Sequence, residues 1–192
     1  MKDKLAWDYI VPVVLCKHLV NARPGLLAPT KIRKTIGGVL HHCAADAWEA
    51  MVDAASKEQI VLKPTSSGDT YRTLGQQLAG FNQRYQLEPI EGQSTRTYEG
   101  KKWYLKKGMA PLAAPGTSKH NLGIAVDVAN AKGHTLEWLV ANVKDFGFSW
   151  EVVPEEPWHL RYVAGDSVPP KVAEWLVRTA PKPVDGKVLG GK

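Results

Sequence analysis

The stretch "SKHNLGIAVDVAN", residues 118–130, places Asp127 within a mostly apolar run. Residues 122–129 of that run predict a buried strand, because a short apolar run bounded by polar residues is consistent with one. An ionised carboxylate in such a strand costs several kcal/mol of desolvation unless a cation or hydrogen-bond donors compensate. The stretch therefore predicts that Asp127 has a partner in the folded protein.

The candidate partners of Asp127 are two histidines from different parts of the chain. His120 lies seven residues before it, and His159 lies in "PEEPWHLRY", residues 154–162. Two histidines and one carboxylate from separate segments are the usual protein ligands of a catalytic zinc, with a further position left for water. The sequence predicts one Zn²⁺ held by His120, Asp127 and His159.

Glu156 and Arg72 are candidates for the catalytic chemistry at such a metal. Glu156 precedes His159 by three residues, so a turn can hold its carboxylate over the zinc-bound water as a general base. Arg72, in the polar turn "SSGDTYRT" of residues 66–73, is the candidate donor to the oxyanion that forms when water attacks a carbonyl.

Helical periodicity recurs in four segments. Apolar residues spaced by three and four predict a helix within 40–56 and a second one over 74–85. A third is predicted from Thr135, as N-cap, to a stop at Gly147. A fourth is predicted over 168–180, with two prolines near its first turn.

Short strands are predicted at 60–62, at 122–129 and from Trp158 onward. Residues 88–115 predict a long surface loop, with a hairpin around Trp103 and Tyr104. Helices and strands are segregated and the connections are hairpin-like. The sequence therefore predicts an α+β fold in which a small antiparallel β-sheet carries the zinc site and helices flank it.

Charge and hydropathy restrict the partners. The net charge of +6 suits a polyanionic surface such as a bacterial cell wall, or serves solubility alone. We expect no nucleic acid, because helix-turn-helix spacing, zinc-finger cysteines and RRM-like aromatic motifs are missing. We also expect no membrane span, because no apolar run approaches the necessary length.

The first twenty residues resemble a secretory signal only faintly, since Asp8 and Pro12 interrupt the apolar run and no small-residue cleavage site follows. They are interpreted as part of the fold. Cys16 and Cys43 have neither metal-ligand nor CxxC spacing. We expect two buried free thiols, and a Cys16–Cys43 disulfide is the alternative.

Two signatures resemble those of the zinc D-Ala-D-Ala peptidases, whose clan also includes lysostaphin and hedgehog. SxHxxGxAxD is formed by Ser118, His120, Gly123, Ala125 and Asp127, and ExWH by Glu156, Trp158 and His159. The resemblance extends over residues 38–163, and "EPWHLRYV" is most similar to the D,D-carboxypeptidases of the M15 peptidase family. It implies the hedgehog/D-Ala-D-Ala peptidase fold, the zinc ligands named above, and Glu156 acting as base and then as acid.

The resemblance also implies substrate contacts. The family's "SGYRSxxxQ" segment aligns its arginine with Arg72 and its glutamine with Gln77, although Asp69 and Thr70 separate Gly68 from Tyr71 here. The expected substrate-binding residues are Ser118, Tyr71, Gln77 and Trp158. Gly123 and Ala125 are expected to leave room beside the metal.

The implied substrate is a peptidoglycan stem peptide, and the implied enzyme is a monomeric D-Ala-D-Ala carboxypeptidase. Phage endolysins or virion peptidases that cut the L-Ala-D-Glu bond are the alternative, although many of them carry Asp where this chain has Glu156. A non-catalytic, zinc-stabilised wall-binding module is the alternative of another class. Without an export signal, we expect a phage-encoded protein released at lysis or carried by the virion, or otherwise a protein that reaches the wall by unknown export.

Three regions are expected on this basis. Residues 1–37 form an N-terminal extension packed on the fold, residues 38–179 form the zinc peptidase domain, and residues 180–192 form a linker or tail.

Overall fold

The computed structural model describes residues 9–181 as helices and short antiparallel strands, which confirms the predicted α+β class. The expectations for residues 1–8 and 182–192 lie outside the described residues. The helices are α1 (His42–Lys57), α2 (Leu74–Arg84), α3 (Gly133–Asn142) and α4 (Pro170–Thr179). The strands are β1 (Ile32–Thr35), β2 (Gly38–His41), β3 (Tyr85–Gln86), β4 (Thr95–Tyr98), β5 (Lys101–Leu105), β6 (Ala125–Asp127), β7 (Phe148–Trp150) and β8 (His159–Tyr162).

The strands form three small sheets. One is the hairpin β1–β2, the second has the order β3–β5–β4, and the third has the order β6–β8–β7. In the third sheet the central strand β8 pairs with β6 on one side and with β7 on the other. His159 of β8 lies opposite Asp127 of β6, and Leu160 of β8 lies opposite Trp150 of β7. This register brings the two predicted ligands of the sheet side by side.

The main core packs α1 against the third sheet. The buried face of α1 includes Ala44, Ala47, Trp48 and Met51, and the same cluster contains Leu160 of β8. The spacing of these residues by three and four is the apolar stripe expected of an amphipathic helix. Each large side chain buried in this way contributes about 1.5 to 3 kcal/mol.

A smaller core holds the second sheet. Phe81 of α2 stacks on Tyr85 with 4.5 Å between ring centroids, and it meets Tyr98 and Trp103 edge-on. The predicted hairpin around Trp103 is therefore present as β4–β5, within a region that was otherwise expected to be loop. The short strand β3 was not predicted, because two residues are too few to show a period.

The N-terminal segment, residues 9–31, packs on the third sheet. Cys16 and Leu19 are buried in the main core. Val14 forms a parallel bridge with Ala164, and the Arg161 guanidinium donates a hydrogen bond to the Val11 carbonyl at 2.8 Å. The described part of the expected extension is thus continuous with the core.

Three secondary-structure predictions were wrong in detail. Residues 60–62 form no strand, and only Pro64, which has no N–H to donate, bridges Val128. The strand predicted over 122–129 is the shorter β6, because a 3₁₀ turn, Lys119–Leu122, precedes it. Thr135 is not a cap, since the Leu136 amide already bonds the Lys132 carbonyl and makes Lys132 the N-cap of α3.

None of the helices within residues 9–181 has the length and apolar character needed to cross a membrane.

We expect Gly123→Ala to destabilise the fold more than Gly100→Ala. Both glycines have positive φ, 66° and 70°, so the left-handed backbone costs either alanine about 1 to 2 kcal/mol. A Cβ on Gly123 would lie 2.8 Å from the His41 amide nitrogen, whereas nothing lies within 4 Å of one on Gly100. The extra crowding adds about 1 to 3 kcal/mol. Free energies of unfolding from denaturant titrations measure the difference, and equal losses would contradict it.

Candidate active site

His120, Asp127 and His159 converge at one end of the third sheet. Their ligand atoms all lie within 4.8 Å of one another. His120 is presented by the 3₁₀ turn, and the two others occupy paired positions at the ends of β6 and β8. The Asp127 carboxylate bridges the imidazoles, with Oδ1 2.7 Å from His159 Nδ1 and Oδ2 3.2 Å from His120 Nε2.

The orientation of His120 is set by a backbone carbonyl. Its Nδ1 lies 2.8 Å from the carbonyl oxygen of the fully buried Thr70. A carbonyl can only accept, so Nδ1 carries a proton and Nε2 is the ring nitrogen that faces Asp127. Thr70 belongs to the dipeptide that interrupts the arginine motif in this sequence, so that interruption supplies a contact on which the site depends.

Charges within the cluster stabilise one another. Burial alone would raise the pKa of Asp127, but hydrogen bonds to His120 and His159 outweigh burial and hold it below its usual range. Burial would lower the pKa of His159, but its bonds to Asp127 and Glu151 raise it to about 9. The metal-free cluster is therefore an ion pair between the Asp127 carboxylate and the His159 imidazolium.

The donor set fits a zinc ion. Two imidazole nitrogens and one carboxylate oxygen are the protein ligands typical of catalytic zinc. The hydrogen bond to Thr70 engages Nδ1 of His120 and leaves Nε2 as its ligating nitrogen, and His159 Nδ1 faces the same carboxylate. A divalent cation would replace the His159 proton as the charge that balances Asp127.

Arg72 lies beside this cluster and is held in place by its neighbours. Its guanidinium donates to the Gly68 carbonyl at 3.1 Å and to Gln77 Oε1 at 2.9 Å, and its NH2 lies 3.5 Å from Asp69. Burial lowers the pKa of Arg72, and the charge of Asp127 opposes that shift. Arg72 thus presents a largely buried positive charge to the site.

The structure gives Gln77 a different role from the expected substrate contact. Gln77 is fully buried, and its amide donates to the Ala113 carbonyl at 2.7 Å while its oxygen accepts from Arg72. Gln77 therefore holds the Arg72 guanidinium in place through a hydrogen bond. A substrate would have to displace these contacts to reach it.

Glu156 and Trp158 lie in the turn that leads from β7 into β8. The Glu156 carbonyl accepts the His159 amide at 3.0 Å, which closes the turn, and the carboxylate makes no hydrogen bond or ion pair with any residue of 9–181. Trp158 is 43% exposed, so it is not a core side chain. The Glu156 side chain is partly exposed.

Ser118 and Tyr71, also expected to bind substrate, make structural contacts. Ser118 Oγ accepts the His120 amide and caps the 3₁₀ turn. The Tyr71 hydroxyl accepts the Leu27 amide at 3.1 Å and so ties the N-terminal segment to the site. At Gly123 the close neighbour is the backbone of His41, whose amide nitrogen would lie 2.8 Å from an added Cβ.

Sequence reasoning missed Glu151. Its Oε2 lies 3.5 Å from His159 Nε2, on the side of the ring away from Asp127, and its Oε1 lies 3.7 Å from Arg161. Hydrogen bonding to His159 lowers the pKa of Glu151. Extending the β7–β8 register by one residue places Glu151 opposite His159, so a predicted hairpin would have revealed it.

Comparisons with known proteins identify relatives of the same kind. A family model described as VanY, D-alanyl-D-alanine carboxypeptidase, matches residues 38–165. The chain is 32% identical over 104 residues to a D-alanyl-D-alanine carboxypeptidase of Enterococcus faecalis (strain ATCC 700802 / V583), covering 44% of this chain and 38% of that protein. It is 31% identical over 140 residues to YodJ of Bacillus subtilis (strain 168), named as a carboxypeptidase, covering 62% of this chain and 45% of YodJ.

Among solved structures, the chain is similar to the LdcB LD-carboxypeptidase, whose structure is described as revealing the basis of peptidoglycan recognition. The identity is 25%, the TM-score is 0.51, and the match covers 81% of this chain and 76% of LdcB. The chain spans less than half the length of both curated relatives.

We expect the stability of the metal-free protein to fall with rising pH more steeply than that of Asp127→Asn. The folded pKa of His159, about 9, exceeds the unfolded 6.5, so its bond to Asp127 stabilises fully below pH 6.5 and is lost through pH 9. Asp127 adds the opposite limit, because its stabilising contribution is complete above pH 3.8, the unfolded value, and is lost as the pH falls from there toward its lowered folded pKa.

Between pH 6 and pH 9 the wild type should lose roughly 1 to 3 kcal/mol more free energy of unfolding than Asp127→Asn does. The difference is not larger because Glu151 still partly raises the pKa of His159 in the variant. Denaturant unfolding of chelator-treated protein at both pH values measures it. Asp145→Asn removes an exposed charge and serves as the matched control. Parallel pH profiles for wild type and Asp127→Asn would contradict the ion pair.

Proposed function

Because the chain belongs to the family of VanY D-alanyl-D-alanine carboxypeptidases, we propose that it is a zinc-dependent D,D-carboxypeptidase acting on peptidoglycan stem peptides. The observation that carries the proposal is the convergence of His120, Asp127 and His159 into one cluster of metal-ligating atoms. We propose that the protein acts at the bacterial cell wall. The positive net charge supports it, because an anionic wall attracts a basic protein.

His120 Nε2, His159 Nδ1 and a carboxylate oxygen of Asp127 would hold the zinc. When bound, zinc polarises the scissile carbonyl and acidifies a water molecule. Only three donors form this cluster within residues 9–181. Three protein ligands leave a position for water, as in catalytic sites, whereas structural sites are closed by a fourth.

Glu156 is proposed as the group that moves the proton. Its carboxylate would accept a proton from the attacking water and deliver it to the amine nitrogen of the departing D-alanine. The hydrogen bond from the His159 amide to the Glu156 carbonyl, 3.0 Å long, fixes the backbone of Glu156 next to a ligand of the cluster and supports this role. The Glu156 carboxylate has no hydrogen-bond or ion-pair partner among residues 9–181, so it is available for this transfer.

Arg72 is proposed to bind a substrate oxygen, either the terminal carboxylate or the oxygen that gains charge as the carbonyl is attacked. Its guanidinium has more N–H donors than its bonds to Gly68 and Gln77 use. Since Gln77 and Gly68 fix the plane of the group, little conformational entropy is lost when a carboxylate binds.

Mass spectrometry of the products from purified stem peptides and peptidoglycan tests the function. Loss of a single alanine from a peptide that ends in D-Ala-D-Ala supports the D,D-carboxypeptidase. Loss of D-alanine from a tetrapeptide alone indicates an L,D-carboxypeptidase such as LdcB. Release of whole stem peptides indicates the L-Ala-D-Glu endopeptidase of an endolysin, and binding without hydrolysis indicates a wall-binding module.

We expect Glu156→Gln to abolish hydrolysis while zinc remains bound. The amide has nearly the same shape but cannot accept the proton, and general-base catalysis contributes typically 10² to 10⁴-fold. The measurements are the rate of D-alanine release and the zinc content of the same sample. Glu155→Gln, at the exposed neighbouring position, is the matched control and should keep the wild-type rate. A Glu156→Gln enzyme with unchanged rate would exclude this role.

We expect Arg72→Lys to lower kcat/KM by about 10² to 10³-fold, because an ammonium group keeps the charge but loses the planar donor pair. Arg84→Lys, in the last turn of α2 and outside the cluster, is the control. Steady-state kinetics on a D-Ala-D-Ala peptide measure both variants. If the two enzymes have equal kcat/KM, Arg72 does not bind the substrate.

A further inference from the structure

A second group of metal-ligating side chains lies away from the candidate active site. The ligand atoms of Cys16, His41 and Cys43 lie within 4.8 Å of one another. They come from three elements, namely the N-terminal segment, the end of β2 and the first turn of α1. Neither cysteine forms a disulfide. Cys16 and Cys43 have no metal-ligand spacing along the chain, so it is the fold that brings the group together.

The distance between two of these donors matches the distance between two ligands of one tetrahedral zinc ion. Cys16 Sγ lies 3.7 Å from His41 Nε2. With zinc bonds of about 2.3 Å to sulfur and about 2.1 Å to nitrogen, tetrahedral ligands would be about 3.6 Å apart. In the metal-free protein hydrogen bonds link the same three groups, between Cys43 and Cys16 and between Cys16 and His41, so all three donors face one space.

The space between these side chains can accept an ion. A cavity of about 10 Å³ is lined by the three donors together with Leu19, Ile124 and other apolar neighbours. That is close to the smallest volume that admits one water molecule, and a zinc ion is smaller than water. The site is therefore large enough for a metal but too small for an organic ligand.

Two more donors are available from the solvent side. Cys16, His18 and Asp166 also have ligand atoms within 4.8 Å of one another, so Cys16 belongs to both groups. Asp166 Oδ2 accepts the Lys17 amide at 2.9 Å, which holds the carboxylate beside Cys16. His18 or Asp166 could supply the fourth ligand that structural zinc sites have.

We propose that Cys16, His41 and Cys43 form a second, structural metal site for a soft divalent ion such as Zn²⁺, closed by Asp166 or His18. The ion would cross-link the N-terminal segment to β2 and α1. Thiolate and imidazole donors suit zinc, whereas harder cations prefer oxygen donors. The site uses none of the residues assigned to catalysis, so it stands independently of the proposed function.

The protonation of the free ligands agrees with this assignment. Burial lowers the pKa of His41 to about 4, so its imidazole is neutral and keeps a lone pair for a metal. Burial, reinforced by the neighbouring Cys16, raises the pKa of Cys43 to about 11. An ion must therefore displace the Cys43 proton, as is usual for thiolate sites.

Cobalt substitution distinguishes the two sites. Co²⁺ bound to thiolate gives strong charge-transfer absorption in the near ultraviolet, and the donors His120, Asp127 and His159 contain no sulfur. With both thiols reduced and confirmed by thiol titration, we expect this absorption in the wild type and in His120→Ala. It should be lost in Cys43→Ser and in Cys16→Ser. A wild type that lacks the absorption in Co²⁺ excess would overturn the proposal.

Zinc content and thermal stability provide the second readout. Cys43→Ser should bind one ion fewer per chain than wild type while keeping the ion at the His120 site, which also shows that the variant is folded. In His120→Ala, removal of zinc by a chelator should lower Tm, and the added Cys43→Ser change should remove that response. A chelator response that survives in the double variant would overturn the assignment.

Discussion

The carboxylate of Asp127 is the constraint on which the rest of the site depends. A largely buried negative charge at the end of a sheet strand, 18% exposed here, is tolerated only with positive partners, and the β6–β8 register supplies His159 directly opposite. The second partner, His120, must come from outside the sheet. The chain meets this need with a 3₁₀ turn, Lys119–Leu122, inserted immediately before β6.

That turn is held from both sides by residues distant in sequence. The His120 carbonyl accepts the Arg72 amide, and Asn121 donates from its side chain to the Arg72 carbonyl at 2.7 Å. The Gly123 carbonyl accepts the His41 amide at 2.9 Å. These bonds couple the backbone positions of Arg72 and His120. The guanidinium and the metal ligand are therefore attached to backbone that is fixed in relative position.

The sequence predicted local features of this arrangement and missed the ones that depend on distant contacts. The spacing of His120, Asp127 and His159 was enough to group them, because a carboxylate in an apolar run requires partners. The roles of Thr70 and Gln77 were not predictable, since they follow from backbone contacts across 50 residues and from burial. The strand expected at 60–62 failed for the same reason, because strand formation needs a partner strand that no local pattern reveals.

The 3₁₀ turn also explains why the N-terminal segment matters to the site. Gly25 exchanges backbone hydrogen bonds with this region, donating to the Asn121 carbonyl and accepting from Leu74, and Leu27 donates to the Tyr71 hydroxyl. His41, bonded to Gly123, presents its ring to Cys16 of the same segment. Any loosening of residues 16–27 would therefore act on the turn through both of its ends. Because the ligating geometry of His120 tolerates only small displacements, a cross-link at Cys16 would fix the segment where its mobility would cost the site most.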